Sequence, residues 1–402
     1  MLFILYYLVI LLLVIYLLIA GLYQVILAVA YFMVKDTKIS SSNNLNRFAI
    51  LVPAHNEELL ISKMCESLIG IKYPTNCFDI FIVSDNSTDK TEEICAAYPV
   101  IVLSRHDTLK AGKGYALEWA LVRISLNNYD AVLIVDADTT VKPDILTELN
   151  VLLNRGEQAI QCYIEIPNRN ESWFTQLISL SRTINDLFYH YSKYKLSLSA
   201  YLMGTGMCFK ASLLENKKWN AFSLSEDWEY FARLIEDGYR IGFAANAVVY
   251  QQESSSLKQA TSQRLRWASG RFFVVKNLGM KLFLKGIRRR DLVMIDASLS
   301  LLFPNWSLQI NLILLTLLAS LFLPVSSFKT TILGIGFVLL GIQALIVIAG
   351  MYLAGNPLST LKAVLVAPVF LVWKFFIDLL CVTGLYRGKK WIRTERHIPN
   401  EP

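Results

Sequence analysis

The first 34 residues contain no charged side chain, and hydrocarbon accepts only such segments at low cost. About 20 residues span a bilayer, so this stretch predicts one long tilted membrane helix or a tight hairpin near Gly21. It also lacks a basic start, a short apolar core and a small-residue cleavage site, which argues against a removable signal peptide. The six cysteines form no Cys-x-x-Cys pair and no Cys/His ligand spacing, so they carry no metal or redox chemistry. Cys65, Cys77, Cys95, Cys162 and Cys208 fall between the apolar ends of the chain and are expected to be reduced and mostly buried. No internal repeat or low-complexity segment occurs. No basic patch interleaved with aromatics lies outside the flanks of the apolar blocks, so nucleic acid is not an expected partner.

What is present is an excess of apolar residues, 54% of a 402-residue chain, with a mean hydropathy of +0.42. The excess sits at 1–34 and 291–384, and the stretch between reads as an ordinary α/β domain. Net charge is +7, placed where membranes select it. Lys276, Lys281, Lys285, Arg288, Arg289 and Arg290 precede the C-terminal apolar block, and Arg387, Lys389, Lys390, Arg393 and Arg396 follow it. Positive residues flanking membrane segments mark the cytoplasmic side. Residues 307–324 and 331–354 read as membrane spans, whereas 361–384 carries Lys362, Lys374 and Asp378. Mid-bilayer charges are costly, so that segment is expected to lie in the interface. Two spans also return the basic tail to the cytoplasm.

From Arg47 short apolar runs alternate with amphipathic stretches. Strands are expected at 48–53, 80–84, 100–104, 131–136, 159–166 and 241–250, and helices at 58–70, 89–98, 114–127, 173–196, 227–236 and 257–278. Apolar strands separated by helices imply a mostly parallel sheet covered on both faces, with ligands beyond the strands' carboxyl ends. The expected organisation is an N-terminal membrane segment at 1–34 and a catalytic domain at 47–250. Interfacial helices at 251–303, membrane or interfacial helices at 304–384 and a basic tail at 385–402 follow.

Every polar cluster falls at those carboxyl ends. Asp136 and Asp138 follow an apolar strand, and two carboxylates in an Asp-x-Asp arrangement can hold a hard divalent cation that neutralises a diphosphate leaving group; an Asp pair serving turns and caps is the plainer alternative. In Ser-Asp-Asn-Ser-Thr-Asp (84–89), Asp85 can accept a hydrogen bond from a nucleobase imide, while Asp89 suits a helix N-cap. Pro53, His55 and Glu57 end the first strand and face the same crevice; a lone histidine of this kind is more often structural than catalytic. Glu226 and Asp227 open a helix, and Asp227 is the natural candidate for a general base, with capping as the alternative. Gln263, Arg266 and Trp267 lie in Gln-Arg-Leu-Arg-Trp. Arg266 can pair with diphosphate oxygens and Trp267 can stack on a sugar ring, or the helix can simply reach lipid headgroups.

In order and spacing these pieces resemble family 2 of the inverting glycosyltransferases, in particular the membrane-bound branch of cellulose, chitin, hyaluronan and poly-N-acetylglucosamine synthases. The resemblance covers roughly 47–278, and the tail at 391–396 is similar to that of bacterial members. It implies a GT-A-type, Rossmann-like domain on a bacterial cell membrane, with the catalytic domain cytoplasmic. It implies that Asp85 recognises uracil, that Asp136 and Asp138 hold Mg2+ or Mn2+ with the diphosphate, and that Asp227 is the base. Gln263, Arg266 and Trp267 then serve diphosphate and acceptor, and Gly204, Thr205 and Gly206, before Met207, match the loop lining the acceptor site. Arg105 and Lys113 look similar to donor-side basic residues. The implied partners are a UDP-sugar, a lipid or polysaccharide acceptor, the bilayer, and accessory export proteins. Asp85-Asn86 departs from members with two acidic residues there, and the chain is short beside the large synthases.

The chemistry expected is a single displacement with inversion, because no separate nucleophilic carboxylate for a retaining route is evident. A one-sugar glycolipid transferase is the rival within enzymes. A transporter would need polar residues in its spans, yet 307–324 and 331–354 contain no charge. An inactive scaffold would tolerate loss of Asp227.

Overall fold

A computed structural model describes residues 2–35, 44–355 and 357–386; the basic tail from Arg387, including the 391–396 motif, lies outside the described residues. After α1 (Leu2–Met33), the order is β1 (Phe48–Ala54), α2 (Ile61–Ile69), β2 (Phe78–Asp85), α3 (Thr91–Cys95), β3 (Ile101–Arg105), α4 (Lys113–Arg123), β4 (Ala131–Ile134) and β5 (Thr139–Val141). Then come α5 (Ile145–Asn154), β6 (Ala159–Glu165), α6 (Trp173–Ile184), α7 (Ser192–Lys195), β7 (Met207–Lys210), α8 (Ala211–Lys217), α9 (Glu226–Glu236) and β8 (Gly242–Gln251). Seven further α-helices follow β8 among the described residues: α10 (Leu257–Val274), α11 (Met280–Arg289), α12 (Leu292–Leu302), α13 (Trp306–Leu321), α14 (Ser327–Leu353), α15 (Pro357–Leu365) and α16 (Ala367–Val382).

The strands form one eight-stranded sheet in the order β3-β2-β1-β4-β7-β6-β8-β5. β1 pairs in parallel with β2 and β4, and β2 with β3. β7 runs antiparallel between β4 and β6, β8 is parallel to β6, and β5 closes the edge antiparallel to β8. The alternation of side chains along a strand explains why β1 is apolar throughout. Ala49 and Leu51 enter a core with Val83, Val132 and the α4 residues Leu117 and Ala120. Phe48, Ile50 and Val52 enter the opposite core with α2 and α5. The expected strands and helices are thus present, but the parallel half is joined to an antiparallel one, because two strands of three and four residues, β5 and β7, were not anticipated.

The helix expected over 173–196 starts on a capping box, Ser172 with Thr175, and passes through a π-helical stretch at Asn185–Tyr191. A second π-helical stretch, Val275–Gly279, separates α10 from α11. Such stretches break the regular 3.6-residue spacing and cluster at functional sites.

Two helices, Ile4–Met33 and Ser327–Leu353, are long and apolar enough to cross a membrane. The expected span at 307–324 is changed: α13 has 16 residues, about 24 Å of helix, short of the roughly 30 Å hydrocarbon core. It reaches span length only with α12, from which it bends by 67°. Nor is 361–384 a single helix. It breaks at Val366 into α15 and α16, bent by 58°. Lys374 and Asp378, whose charges argued for an interfacial position, pair with one another one helical turn apart. α16 packs on α10 and α13, and α1 packs on α13 and α14. Gln24, Gln309 and Gln343 bond across three of these helices at 2.7 and 2.8 Å, with Trp306 Nε1 donating to Gln343 at 2.5 Å.

Candidate functional site

The carboxyl ends of β1, β2 and β4 open into one cavity of about 1950 Å³ that continues between α6, α10 and the C-terminal helices. Pro53, His55, Glu57, Asp85, Asp136 and Asp138 line it from the sheet, Lys113 from the start of α4, Gly204 from the loop before β7, Glu226 and Asp227 from the start of α9, and Gln263, Arg266 and Trp267 from α10. Residues more than 200 positions apart therefore share one chamber.

At one end Asp85 is buried and ion-paired with Arg105, and Asn86 Nδ2 donates to the same carboxyl oxygen at 2.9 Å. Arg105 also donates to Asp107 at 3.2 Å and to the Lys110 carbonyl at 2.7 Å. Arg105 is buried and does not line the cavity itself; its place is behind Asp85, with which it pairs. His55 Nδ1 donates to the Asp85 carbonyl at 2.6 Å, tying the ends of β1 and β2. Asp89 accepts from Thr91 N–H at 3.0 Å just before α3, but the N-cap position expected for it is taken by Lys90.

At the centre Lys113 Nζ reaches Asp136 Oδ1 at 2.5 Å, the Gly204 carbonyl at 2.7 Å and Glu226 Oε1 at 3.5 Å. Burial works against the charge on Lys113, but Asp136 and Glu226 outweigh it and the net effect is upward. Asp227 Oδ1 accepts from Trp228 N–H at 2.8 Å. Burial, then the neighbouring Glu226 charge, pushes the Asp227 carboxyl up to about 7, with Lys113 pulling the other way. Arg266 is drawn down by burial and held charged by Glu226, Asp136 and Asp227. Glu229, one helical turn along from the site, accepts from Phe222 and Ser223 N–H at 3.1 and 2.9 Å, which fixes the loop leading into α9.

Thr205 and Gly206 stand behind the cavity wall instead of on it. Thr205 is fully buried, and its hydroxyl accepts from Asp136 N–H at 3.1 Å, so it positions the aspartate. Gly206 has φ +65°, and a Cβ there would come within 2.9 Å of the Cys162 Cβ. Left-handed backbone and overpacking each cost a side chain free energy, so Gly206→Ala is expected to lower stability by about 3 kcal/mol. Thermal unfolding in detergent measures this.

Among the lining residues that sequence did not single out as site candidates are Arg182, Tyr201, Arg271 and Lys374. Arg264, Trp267 and Arg271 recur at i, i+3 and i+7, one helical face, so Arg271 was within reach of a periodicity argument. Arg264 lies 4.6 Å over the Trp267 ring and pairs with Glu253 at 2.6 Å.

Asp136 and Asp138 are two oxygen donors at an open cavity, and among the described residues no group of three or more His, Cys, Asp or Glu forms a closed metal cage. Mg2+ suits such a site, since it keeps waters and substrate phosphates in its shell. The donor set fits a cation shared with a diphosphate.

An α/β sheet with carboxylates, a lysine and a helix-borne arginine converging beyond its strand ends has the chemistry of a site for an anionic ligand. The chain belongs to the family described as "Glycosyltransferase like family 2", whose sequence model matches residues 46–270. It is 27% identical over 240 residues, 58% of this chain and 56% of the other, to the probable glycosyltransferase YdaM of Bacillus subtilis. It is 29% identical over 231 residues, 55% of this chain and 48% of the other, to a beta-monoglucosyldiacylglycerol synthase of Nostoc sp.. The chain spans about half the length of these curated relatives. Among solved structures, the mannosyltransferase PcManGT from Pyrobaculum calidifontis in complex with GDP-Man and Mn2+ superposes with a TM-score of 0.58 at 18% identity, over 91% of this chain and 98% of that one. This likeness shows the GT-A fold.

Proposed function

We propose that this protein transfers a sugar from a nucleotide sugar, a UDP-sugar in the first place, to a lipid or polysaccharide acceptor at the cytoplasmic face of a membrane, with inversion at the anomeric carbon. The observation that carries the reading is Asp227: a half-buried carboxyl with raised proton affinity, lining the one cavity with Lys113, Glu226 and Arg266. A base poised near neutral pH is matched to deprotonating an acceptor hydroxyl. The hydroxyl oxygen attacks the anomeric carbon while the nucleoside diphosphate departs on the opposite face. Arg266 and Lys113 offset its charge. Asp136 and Asp138 hold Mg2+ or Mn2+, which supplies further charge neutralisation at the diphosphate. Asp85, oriented by Arg105, receives the base of the nucleotide, and Gln263 and Trp267 face the acceptor.

The apolar walls of the cavity and the relative whose name specifies a diacylglycerol product favour a lipid acceptor over a growing polymer. Basic residues of α11 and its flanks are the expected contact with anionic headgroups. The test is metal-dependent release of nucleoside diphosphate from a panel of UDP- and GDP-sugars in membranes, followed by product analysis. A ladder of products supports a synthase; one addition supports a glycolipid transferase. Turnover that ignores every nucleotide sugar sinks the reading.

Lys113 lowers the proton affinity of Asp227, so its removal raises it. Lys113→Ala is expected to move the acid limb of the kcat profile upward by about one pH unit. A pH–rate series on both proteins checks this, and an unmoved limb separates Lys113 from the base.

A further inference from the structure

The membrane-side half of the cavity carries more positive charge than its own carboxylates match. Arg264 pairs with Glu253 at 2.6 Å and Lys374 pairs with Asp378. Arg182 and Arg271 also line it and have no ion pair among the described residues. Arg182 Nη1 is satisfied by the Met203 sulfur at 3.0 Å, and Arg271 Nη2 donates to the Phe303 carbonyl at 2.9 Å, with its guanidinium 5.2 Å over the Trp228 ring. Asp186 is near enough to act on Arg182, but burial pushes its carboxyl up to about 7. The two guanidinium groups come from different elements, α6 and α10: Arg271 lies over Trp228, whose ring centroid is 4.5 Å from that of Tyr201, and Tyr201 OH donates at 2.6 Å to Asn185, which follows Arg182 by less than a helical turn. Arg271 and Arg264 both act on Lys374. The cations thus converge on one place.

Beyond them the cavity turns apolar, with Ile178 and Leu180 of α6, Val347 of α14, Val364 of α15, and Phe370 and Leu371 of α16. Half-buried arginines without counter-ions are costly unless an anion joins them, and guanidinium groups pair bidentately with phosphate. A cationic place between a base and a hydrocarbon chamber matches a molecule with a hydroxyl, a phosphate and a chain, in that order.

We propose that the acceptor is a lipid phosphodiester whose head group bears a free hydroxyl, its phosphate held by Arg182 and Arg271 and its chain in the chamber beyond. The inference rests on Asp227 as base. The head-group hydroxyl gives its proton to Asp227, its oxygen bonds to the anomeric carbon, and the bond from that carbon to the diphosphate oxygen breaks as the nucleoside diphosphate leaves. The phosphodiester itself stays intact.

The test uses full-length protein in phosphatidylcholine vesicles carrying either phosphatidylglycerol or diacylglycerol, with soluble glycerol 3-phosphate as a third arm. Sugar transfer is expected to phosphatidylglycerol, at least about tenfold above the other two. Arg271→Gln and, separately, Arg182→Gln are expected to raise KM for phosphatidylglycerol about tenfold while donor KM stays within about twofold. Arg271→Lys should recover part of the loss. Because the two arginines sit on different helices, misfolding of one variant leaves the other to decide. Equal transfer to diacylglycerol overturns the proposal, as does equal use of glycerol 3-phosphate, elongation of a polymer alone, or an unchanged lipid KM in both variants. Transfer to diacylglycerol that still requires Asp227 removes the anionic acceptor and keeps the base; transfer to phosphatidylglycerol that survives Asp227→Asn does the reverse.

Discussion

Asp227→Asn is expected to lower turnover about a thousandfold while leaving donor affinity within a few-fold of the parent. The amide keeps the volume of the carboxyl and can still accept from Trp228 N–H, the bond that orients the side chain at the start of α9. What it loses is the capacity to take a proton. Donor contacts are assigned to Asp85, Asp136, Lys113 and Arg266, which the substitution leaves in place. The wild-type acid limb should run through about pH 7, because burial and Glu226 raise the carboxyl and only the ionised form is a base. Below that pH the rate falls about tenfold per unit; above it the rate is level. The residual rate of the asparagine variant should show no such limb. Product formation at saturating donor, donor binding by calorimetry and the pH series together make the test. Turnover retained in the variant, or a limb that persists in it, removes Asp227 from the role of base.

The parts of this molecule that were legible in sequence are those where a single local pattern decides. β1 and β4 are buried on both faces, so each reads as an unbroken apolar run. The residues that end such runs could then be placed at one edge of the sheet, where Pro53, Asp85, Asp136 and Asp138 all line the cavity. β5 and β7 escaped because strands of three and four residues have too few positions for a period, and their pairing with β8 and β4 depends on partners far along the chain. Thr205 and Gly206 match a motif, yet a motif does not say which of its residues faces a ligand; the structure gives one a bond to Asp136 and the other a packing constraint. The wall made by the C-terminal helices was hidden for another reason. In α13, α14 and α16 apolar residues surround the helix, and hydropathy averages over the few polar positions that turn inward, such as Gln309 and Gln343. Lys374 and Asp378 misled in the same way. Counted as charges they argue against burial, whereas paired one turn apart they are compatible with it.

Asp138→Ala is expected to bring the enzyme to the same floor as chelation of divalent cations, a loss of about a hundredfold or more. Asp136 and Asp138 are not equivalent. Lys113 sits on Asp136 at 2.5 Å, so that carboxylate is already partly neutralised, whereas Asp138 Oδ1 accepts from the neighbouring Thr139 hydroxyl at 3.1 Å. A cation arriving with the diphosphate would be held by Asp136 and Asp138 together, with Lys113 at hand for the phosphate oxygens. Removing Asp136 should consequently cost in two ways, releasing Lys113 and weakening the cation site, and Asp136→Ala should raise donor KM as well as lower kcat. Adding back Mn2+ or Mg2+ after chelation should restore the wild type fully, and the Asp138 variant hardly at all. The decisive measurement is the dependence of turnover on cation concentration for the parent and each single variant. A chelated parent that keeps full activity, or an Asp138→Ala protein that saturates with cation as the parent does, places the cation site elsewhere or dispenses with it, leaving Lys113 and Arg266 alone to offset the charge of the departing diphosphate.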